Sequence, residues 1–233
     1  MKLYVYCVAH DLEVPGGSMT GVSGKVVRTL KVEDLTLLVS DCDEGSLPVT
    51  RENALAHAAV VRSVLDQTTP LPFRFGMLAT EQQLQKFITT NKPALAGKLA
   101  HVRGRIEMNL KIMLNSITEA AAQLPGNDES PGPGTAFLME KRRELLGDAH
   151  TAARISELSS LLRERISSGL IKDEQISLRQ SLAAVAHLID SRDIQQYREN
   201  VAEFCQNRPD LPVLVSGPWP PYTFANIELE FHA

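Results

Sequence analysis

The chain has 233 residues, of which 43% are hydrophobic and 22% charged, with 24 Lys and Arg against 28 Asp and Glu. A net charge of −4 offers no footprint for nucleic acid, and no apolar stretch reaches the ~18 residues that would span a bilayer. The length suits two domains of about 100 residues each, and the widely spaced Cys7, Cys42 and Cys205 read as reduced thiols of a cytoplasm.

Leu3 to Ala9 is apolar on both faces and predicts a buried strand. One basic residue precedes that run and no h-region follows, so no signal peptide is expected. Loop chemistry from Val14 to Gly24 leads into strands over Lys25–Leu30 and Leu35–Ser40. From Arg51 to Gln67 the period turns helical, with Leu55, Ala58, Val61 and Leu65 on one face and Thr50 as N-cap. Thr69-Pro70-Leu71-Pro72 ends this helix, and Phe73–Gly76 predicts a short strand. Glu81–Thr90 predicts a second helix, which Asn91-Lys92-Pro93 interrupts. The domain boundary is placed here, giving an N-terminal mixed α+β domain over 1–95 and a C-terminal domain over 96–233.

In the second half, Ile106, Met108, Leu110, Ile112 and Leu114 alternate with Arg105, Glu107, Asn109 and Lys111. Strict period two predicts a strand with one face on a core and one wet. Pro125–Gly134 reads as a linker, and Thr135 to about Ser167 as a long helical region striped by Leu138, Leu145, Ala149, Ala152, Leu158 and Leu162. Its polar face is basic, with Lys141, Arg142, Arg143, Arg154, Arg163 and Arg165. A strand over Ser181–Ile189 follows, then a helix in which Ile194, Tyr197, Val201 and Phe204 recur at spacings of 3, 4 and 3. Leu211–Val215 predicts a third strand, and Ile227, Leu229 and Phe231 a last one. The order is compatible with a ferredoxin-like sheet carrying a helical insertion at about 135–170.

The third strand is expected to stop at Ser216-Gly217, where Pro218-Trp219-Pro220-Pro221 packs three prolines around the only tryptophan. Proline fixes φ and has no N–H, so this piece predicts a stiff extended segment holding Trp219, Tyr222 and Phe224 in set directions. Two readings stand. The segment is a rigid corner whose aromatics cap the core, or an aromatic docking surface for another protein.

Elsewhere the chemistry of catalysis is missing from the pattern. His10, His57, His101, His150, His187 and His232 are scattered singly, and no H-x-x-x-H or C-x-x-C pair occurs, so no metal is expected. The glycine loop before Lys25 fails the phosphate-binding pattern at Met19 and Val26, and Gly132-x-Gly134 fails the dinucleotide pattern at Phe137. No catalytic residue and no cofactor is assigned. Asp41-Cys42-Asp43-Glu44-Gly45 reads as a solvated turn before it reads as a cation site.

The segment Ser216–Phe224 closely resembles the C-terminal signature of the gas vesicle protein F/L family (GvpF/GvpL). Leu71-Pro72-Phe73-Arg74-Phe75-Gly76, Gly104-Arg105-Ile106-Glu107 with Lys111, and Gly134-Thr135-Ala136-Phe137-Leu138 with Lys141-Arg142 match it in the same order. The resemblance implies a non-enzymatic role in building gas vesicles, and a ferredoxin-like C-terminal domain. It implies binding to the small hydrophobic shell protein or to other accessory proteins, and a shell-associated place, the gas-facing side included, after a cytoplasmic assembly stage. A mean hydropathy of −0.10 excludes the wall subunit itself. The residues assigned to partner contact are Trp219, Tyr222 and Phe224, with Lys141, Arg142 and Arg143 as a steering surface. Binding can use an exposed sheet edge or a groove beside the proline-rich corner. The alternative is a cytosolic α+β enzyme or a small-ligand-binding regulatory protein.

Overall fold

β1 (Lys2–His10) is the most deeply buried element: every residue from Leu3 to Ala9 is at most 1% exposed. The computed structural model describes residues 2–10, 12–14, 19–43, 47–114, 152–167, 169–179, 182–225 and 227. A strand apolar on both faces belongs in the covered interior of a sheet, and β1 is paired on both edges. β4 (Leu35–Cys42) pairs with it antiparallel on one side, and β5 (Leu71–Pro72) and β6 (Leu78–Ala79) pair with it antiparallel too. With β2 (Met19–Thr20) and β3 (Val26–Val32) the sheet runs β2-β3-β4-β1-β5, β6 lying off this path on β1. The mixed α+β class expected from the sequence is what the structure has.

α1 (Arg51–Ser63) begins where expected: the Thr50 hydroxyl accepts from the Asn53 amide at 3.2 Å. Its buried face differs from the prediction. Asn53, His57, Val60 and Val61 point inward, while Leu55 is 59% exposed. Two polar side chains occupy that face because each finds a partner: Asn53 accepts from the Ser23 amide (3.0 Å) and donates to the Pro48 carbonyl (3.1 Å), and His57 bonds Tyr4. Hydrophobic periodicity is blind to such satisfied polar groups. A Thr50→Ala variant is expected to lose about 1 kcal/mol of unfolding free energy in urea melts, the ordinary cost of an N-cap.

Two other predicted boundaries are corrected. The short strand is Leu71–Pro72, one step before Phe73–Gly76, although the Phe73 amide still bonds the Tyr6 carbonyl at 2.9 Å. α2 (Glu81–Val102) runs through Pro93 without a break. A proline inside a helix costs about 3 kcal/mol, but Leu84, Phe87, Ile88, Leu95, Leu99 and Val102 form one buried face across it. Each such side chain returns about 1.5–3 kcal/mol on burial, so packing wins. The Asn91 side chain also donates to the Phe87 carbonyl at 2.9 Å.

A second sheet has four strands in the order β10-β7-β9-β8. They are β7 (Arg105–Met113), β8 (Ile171–Arg179), β9 (Leu182–Asp190) and β10 (Val213–Trp219). β7 and β9 match the predicted strands; β8 was not anticipated. β10 runs four residues past the predicted stop, through Gly217 and Pro218, which it can do as an edge strand. On β7 the inward set Ile106, Met108, Leu110 and Ile112 is buried as predicted, but Glu107, expected on the wet face, is only 2% exposed.

The chain divides into two compact units, one of Met1–Met108, Leu188–Ser191 and Gly217–Ala233, the other of Asn109–His187 and Arg192–Ser216. In the second, helix α3 (152–162) continues as a π-helical turn over Arg163–Ser167, and α4 (Ile194–Asn207) buries Tyr197, Val201 and Phe204 as predicted. Asn200 donates to the Ile166 carbonyl at 2.8 Å, joining the two. Glu174 on β8 accepts from His187 Nε2 on β9 (2.9 Å), Arg163 Nε (3.2 Å) and the Ser159 hydroxyl, while His187 Nδ1 meets the Tyr197 hydroxyl at 2.8 Å. Burial pushes the Glu174 carboxyl up, but these donors outweigh it and hold it below the usual carboxylate range. Cys205 is only half-buried; Cys7 and Cys42 are buried. The predicted linker at 125–134, the helix from 135 to 151 and the strand residues Leu229 and Phe231 lie outside the described residues.

Candidate partner-binding site

The proline-rich segment is anchored on β7. Gly217 has φ of +127°, and a Cβ there would lie 2.8 Å from Met108 Sδ and 2.9 Å from the Glu107 carbonyl oxygen. Among the described glycines no other combines a positive φ with so close an approach. After Trp219, Pro220 and Pro221 are buried, and the chain closes into one helical turn, α5 (Tyr222–Ala225). The expected extended run through Phe224 therefore ends at Trp219, because the amides of Tyr222 and Ala225 bond the carbonyls of Pro220 and Pro221, each at 2.8 Å.

Charges of the right sign sit at both ends of that turn. The Thr223 amide donates to Glu107 Oε2 at 2.8 Å and its hydroxyl to Glu107 Oε1 at 2.9 Å. At the other end Lys98 Nζ donates to the Ala225 carbonyl at 2.7 Å. An anion at the amide end and a cation at the carbonyl end both stabilise a helical turn. This is why a glutamate with a wet-face position in β7 is buried: its two oxygens are taken up by a residue 116 positions away. Arg74 is exposed.

Beneath the turn lies an aromatic bed. The His57 ring stacks on Tyr6 (centroids 5.7 Å, planes at 24°) and meets Tyr4 and Phe75 edge-on at 5.7 and 5.9 Å; Tyr222 lies tilted above it at 6.3 Å. His57 Nδ1 shares a hydrogen bond with the Tyr4 hydroxyl at 2.9 Å, and the Tyr4 oxygen accepts from the Gly76 amide at 3.2 Å. Nε2 is buried with no hydrogen-bond partner; the nearby Phe73 carbonyl favours its protonated form without completing a bond to it. Burial lowers His57 from 6.5 to about 4, and burial raises the phenols of Tyr4, Tyr6 and Tyr222 above their ordinary value. The bed is uncharged at neutral pH.

Of the predicted contact residues, Phe224 is buried at 8% exposure, and Tyr222 is half-buried over His57. Trp219 is half-buried too, with the Arg62 guanidinium 5.7 Å from its ring centroid. Lys141, Arg142 and Arg143 lie outside the described residues. Arg62, Glu107 and His57 shape this site and carried no local signal for it, since each meets the tail only through the fold. Among the described residues no cluster of three or more His, Cys, Asp or Glu is placed to hold a metal, and none of the helices is long and apolar enough to cross a membrane. In the acidic turn, Asp41 pairs with Arg28 (3.2 Å) and Asp43 with Lys25 (2.6 Å).

Residues 2–226 match the family model described as gas vesicle synthesis protein GvpL/GvpF. The chain is 26% identical to gas vesicle protein L2 of Halobacterium salinarum, over 95% of this chain and 90% of that one, and 25% identical to gas vesicle protein F1 of the same organism, over 98% and 94%. Its fold superposes on the crystal structure of GvpF from Anabaena sp. PCC7120 with a TM-score of 0.76 at 19% identity, covering 100% of this chain and 99% of that one. GvpF from Microcystis aeruginosa gives the same TM-score at 20% identity, covering 97% and 99%.

Proposed function

The chain belongs to the gas vesicle synthesis protein GvpL/GvpF family, and from that membership we propose that it serves gas vesicle formation as a non-catalytic binding protein. Its partners in this reading are the small hydrophobic shell protein and other accessory proteins, with no role for nucleic acid or membrane. The observation that carries the reading is Trp219, a large aromatic left half-buried on a segment that is otherwise pinned down, with Arg62 against its ring. Trp and Arg are the side chains most enriched at energetic centres of interfaces. Lys141, Arg142 and Arg143 would steer acidic partners toward it. The protein would sit at the vesicle shell, the gas-facing side included. A two-domain organisation over 1–95 and 96–233, the second ferredoxin-like with an insertion at about 135–170, is part of the same proposal.

Trp219→Ala tests it. Half-burial predicts a loss of about 1–2 kcal/mol of unfolding free energy, while capture of the purified shell protein should weaken about thirtyfold, equivalent to about 2 kcal/mol. Unchanged capture beside the same loss of stability would return Trp219 to the core and end the proposal. The enzyme or small-ligand reading can draw on a cavity of about 290 Å³ beside Glu164, Arg165, Glu203 and Arg208, and on one of about 220 Å³ lined by Tyr4, Ser23, Lys25, Ser40 and Asp43. Both are below the ~300–1,000 Å³ usual for small-molecule sites, and Lys25 and Asp43 of the smaller one already pair with each other at 2.6 Å.

A further inference from the structure

Both feet of the segment that carries Trp219 stand on Glu107 of β7. At one foot, Gly217 lies against the Glu107 carbonyl and Met108, so closely that no side chain fits. At the other, the amide and hydroxyl of Thr223 are held by the two oxygens of the Glu107 carboxylate, at 2.8 and 2.9 Å. Between them Pro218 to Tyr222 form an arch, with Trp219 under Arg62 and Tyr222 on the aromatic bed. From this geometry we infer that Glu107 is a positioning residue: its carboxylate closes the arch and thereby sets how Trp219 is presented.

The carboxylate is a stronger restraint on the arch than the ring contact at Trp219. Hydrogen bonds to an ionised acceptor are short and strong, and here they come in a pair from one residue, which also fixes direction. The contact of Arg62 with Trp219 is a partly exposed cation–π pair, a weaker class of interaction. Without the carboxylate, the Thr223 amide and hydroxyl lose their buried acceptor, and the turn Tyr222–Ala225 loses the anion at its amide end while keeping Lys98 at the other. The prolines then retain the local stiffness of the arch and β10 its place beside β7, but the closure at Thr223 is lost and the Trp219 side chain gains room to move outward.

The inference rests on reading Trp219 as a contact residue for its purpose, but its test is read on the isolated protein. Trp219 is the only tryptophan in the chain, so intrinsic fluorescence reports this one position. Glu107→Ala is expected to red-shift the emission and to increase acrylamide quenching at least about twofold, as a half-buried ring becomes open, while far-UV dichroism is retained. Glu107→Gln keeps an oxygen that accepts from Thr223 and should restore most of the protection. Thr223→Val removes only the hydroxyl bond and should fall between; it is also the variant to measure if Glu107→Ala does not fold. Equal quenching in wild type, Glu107→Ala and Thr223→Val would overturn the inference. If quenching rises in Glu107→Ala while Trp219→Ala leaves capture of the shell protein intact, the positioning role stands and the interface reading fails.

Discussion

Taking the protein from pH 6.5 to about 4 is expected to remove about 3 kcal/mol of unfolding free energy, and His57→Phe is expected to abolish most of that loss. His57 titrates at about 4 in the folded protein against 6.5 for the free side chain. Its ring is buried among Tyr4, Tyr6, Phe75 and Tyr222, with no completed hydrogen bond at Nε2 among the described residues, so burial outweighs the nearby Phe73 carbonyl. Between these two values the unfolded chain binds a proton that the folded one refuses, so stability falls as pH falls through the window. A difference of 2.5 units, 6.5 minus 4, corresponds to about 3 kcal/mol. Glu174 has the opposite sign of protein charge but the same direction of effect: its folded value is below 4.5, so its contribution is lost only from about pH 4.5 downward. The interval above 4.5 therefore belongs mainly to His57. Phenylalanine keeps the stacking and costs the Tyr4 hydrogen bond, about 1 kcal/mol at every pH. Urea melts at half-unit steps would show the slope in wild type and a flatter line in the variant; parallel slopes in both would assign the acid sensitivity elsewhere.

Gly217→Ala is expected to cost about 3 kcal/mol or more. At φ of +127° an L side chain is strained whatever the space, and here the space is also taken. Met108 Sδ, 2.8 Å from the added carbon, can turn aside, but the Glu107 carbonyl at 2.9 Å belongs to the strand itself and cannot. Gly104→Ala is the matched control. Gly104 also has positive φ, at +67°, yet nothing lies within 4 Å of an added Cβ. That substitution should cost only about 1 kcal/mol, the backbone part alone. Comparable losses in the two variants would show that the close approach at Gly217 contributes nothing.

What could be read from the sequence were the elements whose signal is local. β1 declared itself by a continuous apolar run, β7 by strict alternation, α4 by the 3, 4, 3 spacing and α1 by Thr50 at its start. The elements that escaped are those where a polar group is satisfied from far along the chain. β8 reads as charged surface over Lys172–Gln175, and only His187, Ser159 and Arg163 make Glu174 an interior residue. The buried face of α1 was misplaced for the same reason, since Asn53 and His57 owe their burial to Ser23, Pro48 and Tyr4. α2 continues past Pro93 because Leu95, Leu99 and Val102 bury on the same face as Leu84, Phe87 and Ile88, which the proline's local signal does not reveal. In the candidate site the aromatics were legible because they crowd one short segment. Arg62 and Glu107 were not, because nothing near either in sequence says that a tail more than a hundred residues away will come to rest on it.

The border position of β10 also limits how the second sheet can grow. Among the described strands β10 borders its sheet, and a border strand is a template for any extended chain that meets it, including another copy of the same protein. Here that strand ends in Gly217, Pro218 and Trp219, with a residue that has no N–H to lend and a bulky ring beside it. A foreign strand zipping along the sheet would find regular backbone only over Val213–Ser216. That stretch is shorter than the roughly six or seven residues typical of fibre-forming segments, so the β10 border is a poor template for self-pairing.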